Sequence, residues 1–298
     1  MSTLAATPAV GTHRLADYAV LCKPRVMALA LAAVAVGAVA SGGAAAASGP
    51  FWAALVGGAL VAAGASAWNQ CCERVVDGRM TRTRGRPLPQ GRLTLLEAAT
   101  LGTAALVAGL GVLWWWASPA AAAVGAAIWA VYVLGYTPLK LVTPLNTLVG
   151  AVAGALPPVL GWAAVTGDVA PGAWALFAIV FLWQIPHVLA LGAMYADDYR
   201  QAGVRLLSLE PTTGIAARQS VAAALALVVV GCWPAVLGAA GPVSAAAAVA
   251  LGLWYARAAM AWAFAGDDGS ARRLFRTSLA YLPALFTVLV VERFWWVG

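Results

Sequence analysis

Apolar residues fill this chain in long uninterrupted runs, and polar residues collect in the short gaps between them. The runs lie near 25–46, 50–70, 94–116, 118–137, 144–165, 171–195, 219–240, 243–265 and 275–297. Each is close to the ~20 residues an α-helix needs to cross the hydrocarbon core of a bilayer. The pattern predicts an all-α, polytopic membrane protein with nine transmembrane helices. One membrane-embedded domain is expected over 1–298, led by a polar tail over 1–16.

Composition agrees. Of the 298 residues, 63% are hydrophobic and 10% charged, and the mean hydropathy is +0.85. Soluble domains carry about one quarter charged residues, so a water-soluble fold could not cover its surface here. The hydrophobicity excludes disorder. Four cysteines, Cys22, Cys71, Cys72 and Cys232, exclude a disulfide scaffold and show no zinc spacing. They are expected to be small buried side chains. The abundance of Ala and Gly suits close helix approach in lipid. Trp114, Trp115, Trp116, Trp295 and Trp296 sit near run ends, where an interfacial belt belongs.

The net charge of +7 points to membrane orientation and to no nucleic-acid partner, because the basic residues occupy alternate short loops. Arg14, Lys23 and Arg25 precede the first run. Arg74 to Arg92 follow the second, Lys140 the fourth, Arg200 to Arg218 the sixth, and Arg257 to Arg276 flank the gap after the eighth. The intervening gaps hold no Lys or Arg, and only Arg293 breaks the pattern. The positive-inside rule then predicts a cytoplasmic N-terminus and an outside C-terminus, and the expected location is the cell's inner (plasma) membrane. The two longest inside loops follow the second and sixth runs, and the acids concentrate there. That spacing hints at two similar halves plus one helix.

Asn69, Glu73 and Asp77 end the second run at i, i+4, i+8. On a helix this stacks three oxygen-bearing side chains on one face, neighbours about 6 Å apart. Hard oxygens of this kind suit Mg²⁺, which takes one or two carboxylates and shares the phosphate oxygens of its substrate. Arg79, Arg82, Arg84 and Arg86 follow at once, and forked guanidinium donors match phosphate. Together they read as a diphosphate–metal site. The plain alternative is a loop whose arginines set topology and whose acids pair with them. Polar groups at the end of an apolar run are costly, which favours function.

The sixth run carries Trp183, Gln184, Pro186 and His187, then Asp197, Asp198, Tyr199 and Arg200. Pro186 is expected to kink the helix. Acids ending a helix oppose its macrodipole, a placement that calls for a compensating cation. The plain readings are solvated interfacial charge for the acids and a packing role for His187. Glu97, Asp168, Glu210, Asp267 and Asp268 read as solvated loop charge.

These features resemble the UbiA superfamily of intramembrane prenyltransferases. Further stretches resemble its haem-farnesylating branch: Lys23-Pro24-Arg25-Val26, the segment from Arg82 to Pro89, Thr143-Pro144-Leu145-Asn146-Thr147, the segment from Gly154 to Gly167, Trp183-Gln184-Ile185-Pro186-His187, and Asp198 to Val204. The resemblance implies nine helices around a central cavity, with farnesyl diphosphate bound at its cytoplasmic end. It implies Mg²⁺ on Asn69, Glu73, Asp77 and Asp198, with Asp197 beside them as catalytic acids. Arg79, Arg82, Arg86, Lys140 and Arg200 would hold the diphosphate. Trp183, Gln184, His187 and Tyr199 would face haem B, the acceptor. A haem A synthase or a terminal oxidase assembly would receive the product. Two departures stand out: Glu73 replaces the family's usual Asp, and Arg205-Leu206-Leu207-Ser208 replaces a Pro-Met-Leu-Pro stretch. The residues alone leave open another acceptor (a quinone precursor or a lipid), a non-catalytic haem-binding homologue, or a transporter. A transporter predicts polar residues spread through mid-bilayer, whereas here they gather at one face.

Overall fold

The computed structural model describes residues 10–42, 48–209 and 214–296; Glu210 lies outside the described residues. A short helix, α1 (Val10–Leu21), precedes the first long one. The long helices are α2 (Pro24–Ser41), α3 (Gly49–Arg79), α4 (Leu95–Ala117), α5 (Pro119–Leu139), α6 (Asn146–Thr166) and α7 (Pro171–Met194). After the short α8 (Ala196–Gln201) come α9 (Ile215–Val236), α10 (Pro242–Ala265) and α11 (Asp268–Trp296). Nine helices among the described residues are thus long and apolar enough to span a membrane.

The helices begin where capping chemistry tells them to. Ser48 accepts from Phe51 N (3.3 Å) and Ser118 from Ala121 N (3.0 Å), each followed within two residues by a proline. Thr94 and Glu97 form a reciprocal capping box at the head of α4. Glu97 is therefore a cap, not merely solvated charge.

Two features depart from the apolar pattern. First, α3 continues to Arg79, far beyond position 70. Hydropathy marks the lipid-crossing part of a helix, but the polar turns that follow bury Asn69, Gln70, Glu73 and Asp77 inside the protein. Second, α1 begins within the expected tail and runs on to Leu21. Its partners are distant in sequence: Arg92 Nε donates to Asp17 (3.0 Å), Arg14 to Glu97 (2.7 Å), and Gln70 Nε2 to Leu21 O (2.8 Å). The cysteines also differ from expectation, since Cys72 is exposed and the other three only half-buried.

Small residues set the helix approaches. A Cβ on Gly64 would meet Gly102 O at 2.7 Å, and one on Gly109 would meet Gly57 O at 2.9 Å, so α3 and α4 pack backbone to backbone. A Cβ on Gly37 would overlap the Pro158 carbonyl, and one on Gly161 the Val34 carbonyl, which ties α2 to α6. The latter helix breaks at Leu156, just before Pro157-Pro158. At the far end, Glu292 of α11 is buried and accepts from Gly241 N (3.0 Å), Val243 N (2.7 Å) and Ser244 N (2.9 Å), closing the head of α10. Glu292→Leu strands these donors and is expected to cost about 1–3 kcal/mol. A thermal melt in detergent should show the loss, and an unchanged Tm would refute the capping role.

Candidate functional site

The polar face of α3 carries a ladder of paired groups. Asn69, Glu73 and Asp77 are 0%, 7% and 1% exposed. Each faces a cation from another segment. Lys23 Nζ donates to Asn69 Oδ1 (2.6 Å), Lys140 Nζ pairs with Glu73 Oε1, and Arg86 donates to Asp77 Oδ2 (2.6 Å). Thr137 Oγ1 accepts from Asn69 Nδ2 (3.0 Å), joining α3 to α5. The i, i+4, i+8 spacing therefore does place three oxygens in a row, held within the protein.

Lys23 was quoted in the sequence motif but given no role there. It occupies the bend between α1 and α2 with φ 48° and ψ 62°, the only non-glycine residue with positive φ among those described. Such a conformation costs an L-residue about 1–2 kcal/mol, and here it turns the amine inward onto Asn69. Burial first, then the nearby Arg86 and Lys140 charges, lower its pKa to about 7, against the opposing pull of Glu73 and Asp77. Tyr136 was also missed; its ring lies 4.4 Å from Lys140 Nζ. An aromatic in an apolar run gives no signal of which way it points. Lys23, by contrast, was a charge at the start of such a run, and that signal was there to be weighed.

Below the ladder opens an apolar cavity of about 280 Å³ between α2, α3, α5, α6, α7 and α11. Its walls are mostly Ala, Gly and Val, with Ser66, Tyr132, Tyr136, Thr147, Trp183 and Gln184 as the polar or aromatic positions and no charged side chain. Ser66 lies one turn along α3 from Asn69, so the cavity begins where the ladder ends. Glu73 and Lys140 line a separate groove of about 320 Å³ between α3 and α5.

The second acidic cluster is not gathered into this ladder. Helix α7 ends at Met194, and Asp197 and Asp198 occupy the first turn of α8. The expectation that they end a helix is thus reversed: acids at a helix N-terminus favour its dipole and need no cation. Asp197 is 92% exposed and pairs with Arg200 (3.2 Å). Asp198 accepts from Thr81 N (3.2 Å) and Arg82 N (3.3 Å). Burial pushes its pKa upward, but these two donors hold it below the usual carboxylate range. Arg82 donates to Tyr199 Oη (3.1 Å) and lies over the Tyr195 and Tyr199 rings. Met80 packs with Ala202, Val204 and Leu206. The two long loops therefore close on each other, with Tyr199 at their seam and not in the cavity.

The unusual Arg205-Leu206 stretch has its own anchors. Arg205 N donates to Lys140 O (2.8 Å) and Arg205 O accepts from Asn146 Nδ2 (2.6 Å). Arg79 is exposed at the end of α3. Of the five cations expected to hold a diphosphate, only Arg86 and Lys140 stand in the ladder.

Trp183 and Gln184 line the cavity, but His187 does not. It is stacked between Trp183 (5.0 Å) and Phe275 (4.8 Å). Ser278 Oγ donates to Phe275 O (2.6 Å) and so accepts from His187 Nδ1 (2.7 Å). Trp183 Nε1 donates to Ser278 O (2.8 Å). His187 thus backs the cavity wall.

The ladder suits a hard divalent cation. It offers an amide and two carboxylate side chains in one row, and Asp77 Oδ1 is buried with no hydrogen-bond partner. An unpaired buried carboxylate oxygen is costly, and a cation is the partner it lacks. No group of three His, Cys, Asp or Glu gathers among the described residues, so substrate oxygens and water would complete the coordination.

The profile of the UbiA prenyltransferase family matches residues 29–290. The protoheme IX farnesyltransferase of Solibacter usitatus (strain Ellin6076) is 40% identical over 80% of this chain and 82% of its own. That of Gloeobacter violaceus (strain ATCC 29082 / PCC 7421) is 39% identical over 93% and 92%. Among solved structures, a UbiA homolog from Archaeoglobus fulgidus bound to GPP and Mg²⁺ superposes with a TM-score of 0.64 at 16% identity, covering 92% of this chain and 99% of that one.

Proposed function

The chain belongs to the UbiA prenyltransferase family, and on that footing we propose that it transfers a farnesyl group from farnesyl diphosphate to a vinyl group of haem B. The observation that carries the reading is the ladder of oxygens and cations at the mouth of an uncharged cavity, in a chain so similar to protoheme IX farnesyltransferases.

In the reaction the C1–O bond of farnesyl diphosphate breaks, and diphosphate leaves with the electron pair. Farnesyl C1 bonds to the terminal vinyl carbon of haem. Water adds at the neighbouring carbon and releases a proton, giving the hydroxyethylfarnesyl side chain of haem O.

Each part of the protein has a task. Lys140 and Arg86 supply positive charge where negative charge develops on the departing diphosphate, and the buried Lys23 amine adds an N–H donor beside them. Asn69, Glu73 and Asp77 would hold Mg²⁺, which when bound supplies Lewis-acid charge at the same diphosphate. Asp197 and Asp198 stay outside this set; Asp198 instead fixes the loop that carries Arg82 and Arg86. The uncharged cavity takes the isoprenoid tail and keeps water from the allylic cation, with Tyr132, Tyr136 and Trp183 as its aromatic lining. Trp183 and Gln184 lie on the wall assigned to the acceptor, with His187 positioning Trp183 from behind. The ladder end would face the cytoplasm of the plasma membrane, with the N-terminus on that side and the C-terminus outside. The product would supply a haem A synthase or a terminal oxidase assembly.

Purified protein given haem B, farnesyl diphosphate and Mg²⁺ should form a product of haem O mass. EDTA should abolish it and added Mg²⁺ restore it. Diphosphate release without a haem product would transfer the reading to another acceptor.

A further inference from the structure

A groove of about 520 Å³ lies at the head of α11, on the same end of the bundle as the ladder and apart from it. Its wall carries Arg272, Arg273, Arg276, Thr277 and, from α10, Trp254. All three arginines are exposed, and none closes an ion pair among the described residues. The adjacent acids do not fill the groove. Asp267 Oδ1 accepts from Ser270 N (2.6 Å), which caps the helix, although its charge does feel Arg273. Asp268 is exposed in the first turn of α11.

The depth of the groove fits the headgroup layer. Helix α11 has 29 residues. At about 1.5 Å per residue it is longer than the ~30 Å hydrocarbon core, so its first turns stand among lipid headgroups. Trp254, at the middle of α10, is 44% exposed and closes the deep, apolar end of the groove with Ala280.

We propose that this groove binds the phosphate of an anionic phospholipid in the cytoplasmic leaflet. Forked guanidinium donors, set on neighbouring turns of one helix, match the phosphodiester oxygens. Basic pockets between transmembrane helices take such headgroups, and each arginine near the surface adds to the attraction. A zwitterionic lipid brings its own ammonium and gains less from three guanidinium groups. The proposal does not depend on the transfer reaction, because none of these residues belongs to the ladder or the cavity.

The test is native mass spectrometry of full-length protein from nanodiscs holding phosphatidylglycerol, cardiolipin and phosphatidylcholine. Wild type should retain an anionic phospholipid in preference to phosphatidylcholine. Arg272→Gln/Arg273→Gln/Arg276→Gln should weaken that retention about tenfold or more, with Arg276→Gln alone intermediate and haem O formation kept as a check on folding. Equal retention in wild type and both variants would overturn the proposal. So would displacement of the lipid by millimolar inorganic phosphate, which would reassign the groove to free anions.

Discussion

Asp77→Asn is expected to lower farnesyl transfer by about 10²–10³-fold, the scale set by removing one group that stabilises developing charge. The substitution keeps the size and shape of the side chain and removes its charge. Asp77 is 1% exposed, one oxygen accepts from Arg86 (2.6 Å), and the other is buried without a partner. The amide offers that second position a neutral oxygen or an N–H, neither of which replaces an anion. The Mg²⁺ concentration for half-maximal rate should rise as turnover falls. Single-turnover formation of haem O, with circular dichroism as the check on folding, gives the answer. A rate within about threefold of wild type would remove Asp77 from the site.

Lys140→Met should damage both stability and turnover, and a second substitution separates the two. Lys140 and Glu73 form an ion pair with side-chain exposures of 18% and 9%. Removing one member of a buried pair costs about 3–5 kcal/mol, because the other charge is left uncompensated. The single variant should therefore melt well below wild type. In Lys140→Met/Glu73→Gln no buried charge is stranded, and the melting temperature should largely recover. Turnover should not, since both a cation and a carboxylate have left the ladder. A double variant with wild-type turnover would mean the pair serves only to join α3 to the end of α5.

Much of this protein was legible in order of sequence. Run lengths fixed nine crossings, because a bilayer of given thickness admits few alternatives. The triplet Asn69, Glu73 and Asp77 was legible because helical spacing is local: once a helix is granted, residues four apart share a face. The segment from Gly154 to Gly167 was visible as a motif, but not its reason. Only the packed bundle shows that Gly161 lies against the Val34 carbonyl and that the chain breaks before Pro157.

The partners of the ladder were decided by tertiary structure. Lys23, Arg86 and Lys140 come from three separate segments, and no local rule selects them from the chain's 18 Lys and Arg residues. Charge composition made Arg79, Arg82 and Arg200 equal candidates. Their differing fates depend on where each loop folds: Arg82 onto Tyr199, Arg200 onto Asp197, Arg79 into solvent. The same holds for Asp197 and Asp198, since one break in the helix at Tyr195 turns a C-terminal position into an N-terminal one. His187 was visible as a polar group in an apolar helix, but whether it faced cavity or neighbour depended on Ser278 and Phe275, about ninety residues away in the chain. Sequence by itself determined the spans and the chemical types at their ends, because hydrophobic length and helical periodicity act locally. Which oxygen meets which cation, and which side chain reaches the cavity, was left to tertiary structure, because those contacts join segments that only the packing of all the helices brings together.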